Sequence, residues 1–149
     1  MKRIILSVGA LLFINGANAQ WSNKVVDNGF DDTYKICYTK DNNGSILKLE
    51  NVDGKIIFYI QGSYFCSEAP VVDVSFLVGG EWKKYSFMAI KSGQSDALFI
   101  IEDLLNDSSV IDFKNCSFIK LRVNEEYCDT EIYQFNMAGS TSALNFISK

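Results

Sequence analysis

The chain has no histidine among its 149 residues, and this absence excludes more chemistry than any single motif supplies. Without an imidazole, neither a Ser-His-Asp nor a Cys-His nucleophile system can be assembled, and the usual general base at neutral pH is missing. Zinc is disfavoured on related grounds. The four cysteines, Cys37, Cys66, Cys116 and Cys128, contain no C-x-x-C pair, and no histidine can complete a ligand set. No metal and no cofactor are expected. Proline occurs once, at Pro70, between apolar segments where its missing N–H does no harm. Runs of Lys and Arg are also lacking, so neither nucleic acid nor an anionic lipid surface is an expected partner.

The one long apolar run opens the chain. Lys2 and Arg3 precede an apolar stretch from Ile4 to Ile14, followed by Ala17-Asn18-Ala19. A basic start, a short apolar region and an A-x-A site describe a secretory signal peptide cleaved after Ala19. A membrane anchor needs roughly 20 apolar residues, and this run breaks at Asn15. The expected product is residues 20–149, one β-rich domain in the periplasm or outside the cell, with no membrane insertion of the mature chain. Lys2 and Arg3 leave with the signal, so the 14 basic residues fall by two against 18 acidic ones, a formal charge of −6.

Export also sets the redox state, and four cysteines in an oxidising compartment imply two disulfides. Of the three connectivities that four cysteines allow, the reading favours Cys37 with Cys66 and Cys116 with Cys128.

Residues 39–50, "TKDNNGSILKLE", match part of a calcium-loop template, with Asp41, Asn43, Gly44 and Glu50 at ligand or turn positions. Two observations oppose calcium. Thr39 stands where the first ligand Asp belongs, and the flanks "TYKICY" and "KLENVDGKIIFYI" read as strands where an EF-hand has helices. Asn42-Asn43-Gly44 is accounted for by a tight hairpin turn.

Residues 21–32 read as polar and turn-like. From Thr33 onward, "TYKICYTK", "SILKLEN", "KIIFYIQG", "VVDVSFLV" and "WKKYSFMAI" are short apolar segments separated by turn residues, the mark of hairpin-linked antiparallel strands. Val72, Val74, Phe76 and Val78 share one face, and Tyr85, Phe87 and Ala89 another. Residues 95–107, "SDALFIIEDLLND", place Ala97, Leu98, Ile101, Leu104 and Leu105 at the spacings of one helical face, which predicts an amphipathic helix. Strands are predicted again at "SVIDF", "SFIKLRV" and "EIYQFNM", and a short C-terminal helix at "STSALNFIS". The fold class is mainly β: an antiparallel β-sandwich or strongly curved sheet with one amphipathic helix and a short C-terminal helix. A lipocalin-like closed barrel is the alternative.

Acidic residues cluster at Asp27, Asp31 and Asp32, at Glu102 and Asp103, and at Glu125, Glu126, Asp129 and Glu131. A glycosidase would need two carboxylates held about 5 to 10 Å apart, and no spacing in the sequence supplies that, so solvated loops account for them. Period two sends Asp73 to the face opposite Val72 and Val74, towards solvent. Three N-x-S sequons begin at Asn43, Asn106 and Asn115, and with a bacterial-looking signal peptide they read as chance. Among the aromatics, Trp21 and Trp82 are singled out as a possible binding surface, because one precedes the fold and the other opens a strand after Gly79-Gly80.

The order of "FDD" after an N-terminal Trp, "VDVSF", "WKKYSF", "ALFIIEDLL", "IKLRV" and the closing "YQFNMAGSTSAL" resembles the layout of small secreted bacterial β proteins. It is similar to the type VI secretion-associated VasI family and, more distantly, to the invasion-associated locus B family. The resemblance implies a periplasmic or secreted antiparallel β domain without catalytic machinery, and it carries over no functional residue. Together these observations lead us to expect a non-enzymatic binding protein whose partner is another protein. The alternatives are a small-molecule carrier with an internal cavity and a hydrolase using paired carboxylates.

Overall fold

A computed structural model describes residues 21–27, 29, 33–52, 54–62, 64–93, 97–100 and 107–149. The signal segment, Asp31, Asp32, Glu102 and Asp103 lie outside the described residues. In chain order the elements are β1 (Ser22–Asp27), β2 (Thr33–Lys40), β3 (Ile46–Val52), β4 (Lys55–Gln61), β5 (Val71–Val78), β6 (Glu81–Lys91), β7 (Ala97–Ile100), α1 (Asp107–Asn115), β8 (Phe118–Asn124), β9 (Glu131–Asn136) and α2 (Ser140–Ile147). The protein is mainly β, and the nine strands among the described residues form one antiparallel sheet in the order β1-β2-β3-β4-β7-β6-β5-β8-β9.

The hairpins follow from local chemistry. Between β2 and β3, Asp41 Oδ1 accepts the amides of Asn43 and Ser45 at 2.9 and 2.8 Å, so the carboxylate closes the turn and the 39–50 segment is a hairpin. Between β5 and β6 the link is Gly79-Gly80, with φ of 59° and 89°. A two-residue turn with positive φ at both positions matches strand twist, and glycine adopts it without steric cost.

β6 is the pivot of the sheet. Its residues Glu81–Met88 pair with β5, while Ala89–Lys91 pair with β7, so one strand serves both halves. Where the β5 ladder ends, the carbonyls of Pro70 and Glu68 take the amides of Ala89 and Lys91 at 3.0 and 2.8 Å. Pro70 accepts there and its missing N–H costs nothing.

Inward positions alternate as the sequence predicts for Val72, Val74 and Phe76, for Ile119, Leu121 and Val123, and for Tyr133 and Phe135, and Leu47, Leu49, Phe58 and Ile60 are buried with them. The helices close this core. Phe113 of α1 meets Phe58, Phe76 and Trp21 edge-on at 5.5, 6.4 and 6.3 Å between ring centroids. Helix α2 buries Ser140, Ala143, Leu144 and Ile147, and the Ile147 carbonyl accepts Asn51 Nδ2 at 2.7 Å.

Four expectations change. Residues 97–100 are a strand, not the start of a helix: Leu98 is fully buried and β7 pairs with β4 on one side and β6 on the other. A short apolar run satisfies both periods, and here the backbone groups of two neighbouring strands decide. Ile101, Leu104 and Leu105 of the predicted helix lie outside the described residues, and a helix forms at Asp107–Asn115, where "SVIDF" had predicted a strand. Its buried face is Ser109, Asp112 and Phe113, continued by Cys116 just past its end, a stripe that apolar counting misses because half of it is polar. Residues 22–27, read as turn-like, pair with β2 over six residues. Finally, the disulfide joins Cys66 to Cys128, with Cα atoms 6.1 Å apart, and Cys37 and Cys116 are free and buried. Both of these lie in the apolar core, and burial pushes each thiol up to about 12.

Candidate binding face

The half of the sheet formed by β6, β5, β8 and β9 has its second face turned outward. Registration puts its side chains in four cross-strand rows: Met88–Val71–Asn124, Ser86–Asp73–Arg122–Ile132, Lys84–Ser75–Lys120–Gln134 and Trp82–Leu77–Phe118–Asn136. Val71, Met88 and Ile132 are 43%, 48% and 64% exposed, and Trp82 is 37% exposed. Val71 and Met88 are cross-strand partners and Ile132 lies one row away, while the Lys84–Ser75–Lys120 row separates them from Trp82.

The polar part of the face is organised around Asp73. Its Oδ1 accepts Ser86 Oγ at 2.6 Å, and its Oδ2 accepts Arg122 Nε at 2.9 Å and Asn124 Nδ2 at 3.0 Å. Arg122 Nη2 reaches the same oxygen. These donors, Ser86 first, hold the carboxyl down at about 2. Sequence reasoning sent Asp73 to solvent, which is correct, but its partners come from β6 and β8 and could not be read from one strand.

Beside Asp73 lies a groove of about 420 Å³ lined by Ser75, Lys84, Ser86, Lys120, Arg122 and Ile132, among others. Lys120 Nζ sits 4.7 Å from the centre of the Trp82 ring. On the other half of the sheet an outward cation is engaged differently, since Lys48 pairs with Glu50 at 3.2 Å and lies 3.9 Å over the Tyr59 ring. The ion pairs among the described residues are made by Lys48, Lys83, Lys91 and Arg122, and Lys84 is not one of them.

The two tryptophans separate. Trp82 belongs to the outward face, whereas Trp21 packs edge-on against the fully buried Phe113, so they do not form one surface. The missed members, Lys84, Lys120, Arg122 and Ile132, had only a period-two signal, which gives the face of each strand but not its neighbour.

At the disulfide end, Glu125, Glu126 and Asp129 gather with Tyr64 and Tyr127 around a depression of about 610 Å³. Glu125 Oε2 accepts the Ser67 amide at 2.7 Å, and Ser67 Oγ accepts the Glu126 amide at 2.8 Å, so these groups fasten the Cys66 and Cys128 segments together. Glu131 accepts Tyr133 Oη at 2.7 Å.

Asp112 is the other organised carboxylate. Buried on α1, it accepts Lys83 Nζ at 2.7 Å and Tyr85 Oη at 2.6 Å. The two bonds, Lys83 first, hold its carboxyl below the usual range, and the same contact holds the Tyr85 phenol above its own. Both Asp73 and Asp112 are thus kept ionised, the reverse of what a general acid requires.

No protein-family model, no curated protein and no solved structure matches the chain.

Proposed function

We propose that the protein is a non-enzymatic binding protein of the periplasm or extracellular space, and that its partner is another protein. The observation that carries this reading is the outward face of β6, β5, β8 and β9, where Val71, Met88 and Ile132 are exposed beside an ordered Asp73–Arg122 pair and Trp82 is exposed two rows away. Apolar anchors interleaved with fixed polar groups are what a protein interface uses. The Cys66–Cys128 disulfide fits an oxidising compartment. No helix among the described residues is long and apolar enough to cross a membrane. The signal-peptide reading of residues 1–19 and the resemblance to the VasI layout point the same way.

An aromatic-rich interior, with Phe58, Phe65, Phe76, Phe113 and Phe135 fully buried, favours this reading over the small-molecule carrier, which would need space there. The test is affinity capture with tagged residues 20–149 from the envelope and medium of the native host. A stoichiometric protein that is lost from a Trp82→Ala, Ile132→Ser variant supports the reading. A protein that elutes alone, or with a small molecule, overturns it.

A further inference from the structure

The outward positions of β6, β5, β8 and β9 carry three cations, Lys84, Lys120 and Arg122, and a single acidic residue, Asp73. Arg122 already neutralises that residue. The face is therefore basic on a chain with 18 acidic and 14 basic residues, and its charge is not set by overall composition. Lys84 and Lys120 are the cross-strand partners of Ser75 on its two sides. Neighbouring strands lie about 4.8 Å apart, so the two lysines flank Ser75 from either side, and all three line the same groove. Lys120 of β8 and Trp82 of β6 meet across β5, with the ammonium 4.7 Å from the ring centre.

We infer that this groove receives an acidic, partly apolar segment of the partner protein, with a carboxylate seated between Lys84 and Lys120 above the Ser75 hydroxyl. The inference rests on the protein-binding reading above and specifies the chemistry of the partner. Charge complementarity selects an acidic occupant, and the surrounding donors select among acidic groups. A phosphate is best held by a free guanidinium fork, but two nitrogens of Arg122 are committed to Asp73. What remains is two ammonium groups and a hydroxyl, single-point donors suited to a carboxylate. An anionic glycan would need an open aromatic face to stack on, and Lys120 lies over the Trp82 ring. Exposed Met88, Val71 and Ile132 around the groove match the apolar side chains of a peptide segment and give a sugar nothing.

The experiment is selection from a random-peptide display library on immobilised residues 20–149, followed by titration of the enriched peptides using Trp82 fluorescence in a Trp21→Phe background. We expect enriched peptides to combine acidic with aromatic or aliphatic residues. Their affinity should fall with added salt and drop by about tenfold or more in Lys84→Glu, Lys120→Glu. Both substitutions lie on the outward face, so an unchanged melting curve confirms that the variant is folded. Enrichment without acidic residues, binding indifferent to the double substitution, tighter binding of heparin than of any peptide, or self-association abolished by the same substitutions would each overturn the assignment. If the captured host partner stays bound to the double variant, the protein-binding reading survives and only this groove is wrong. If no host partner is captured at all, that reading fails independently.

Discussion

The ring of Tyr133 lies against the backbone of Gly62: a methyl group built on Gly62 would come within 2.8 Å of Tyr133 Cε1. This contact brings β9, at one end of the sheet, against the chain leaving β4 in the other half. Tyr133 also packs near Phe65, with ring centroids 6.3 Å apart.

Substituting Gly62→Ala should therefore destabilise the fold by about 1–3 kcal/mol, the usual effect of overpacking a filled site. The cause is the partner ring, so in a Tyr133→Leu background the added cost of Gly62→Ala should shrink by at least half. Urea unfolding of the four proteins of this double-mutant cycle measures the coupling. Additive effects would show that the backbone, not the ring, resents the methyl group.

Asp112 is buried on α1 and bonded to Lys83 and Tyr85 of β6. Replacing it with Ala removes both bonds at once and should cost about 1–3 kcal/mol. Lys83→Met should cost less than Asp112→Ala, because the Tyr85 hydroxyl still donates to the carboxylate and water can reach the place of the half-exposed lysine. Denaturant midpoints settle the order of the two, and equal losses would mean that the ion pair itself carries the stability.

Acid should weaken the fold through Asp73 and Asp112. Both carboxyls are held below their ordinary value of 3.8, Asp73 at about 2. As pH falls below the unfolded value, the unfolded chain takes up these protons first, so stability present above about pH 4 is lost as pH approaches 2. Asp73→Asn should flatten part of this loss in thermal melts recorded across that range.

The thiols of Cys37 and Cys116 should not react with iodoacetamide in the native protein near pH 8, since both are buried and both are pushed up to about 12 by burial. In denaturant two thiols should be alkylated, and the unreduced mass should show the single bridge Cys66–Cys128. The alkaline sign follows. Unfolded thiols ionise near 9 while the folded ones keep their protons, so stability present below pH 9 is lost as pH rises towards 12. Rapid native alkylation of either cysteine would overturn this account.

Strands with one clear buried parity, such as β5 and β8, could be read from the sequence nearly to the residue, because alternation of Val72, Asp73, Val74 and Ser75 states both that a strand exists and which side faces the core. What could not be read was adjacency. Asp73 found its partners on β6 and β8, and the Lys84–Ser75–Lys120 row exists only because β5 lies between those strands. Helix α1 was missed for a different reason. Its buried Asp112 is made tolerable by Lys83 and Tyr85 on a distant strand, so tertiary partners override the local preference for exposing a carboxylate. The disulfide had no local signal, since Cys66 and Cys128 are 62 residues apart in sequence.

The position of β7 bears on how the chain assembles. β7 follows β6 in sequence but lies between β4 and β6 in space, so among the described residues those two strands are linked through the sheet only by residues 97–100. A chain emerging from its N-terminus can complete β1 to β4 as a meander and β5 with β6 as a hairpin, each with a bare edge awaiting the same short strand. Docking of these four residues then pairs the two halves, and until it happens the edges of β4 and β6 are bare, the exposure that aggregation would exploit. Pulse-labelled hydrogen exchange should find the β7 amides protected after those of the β2–β3 and β5–β6 hairpins, and simultaneous protection would argue instead for one concerted collapse.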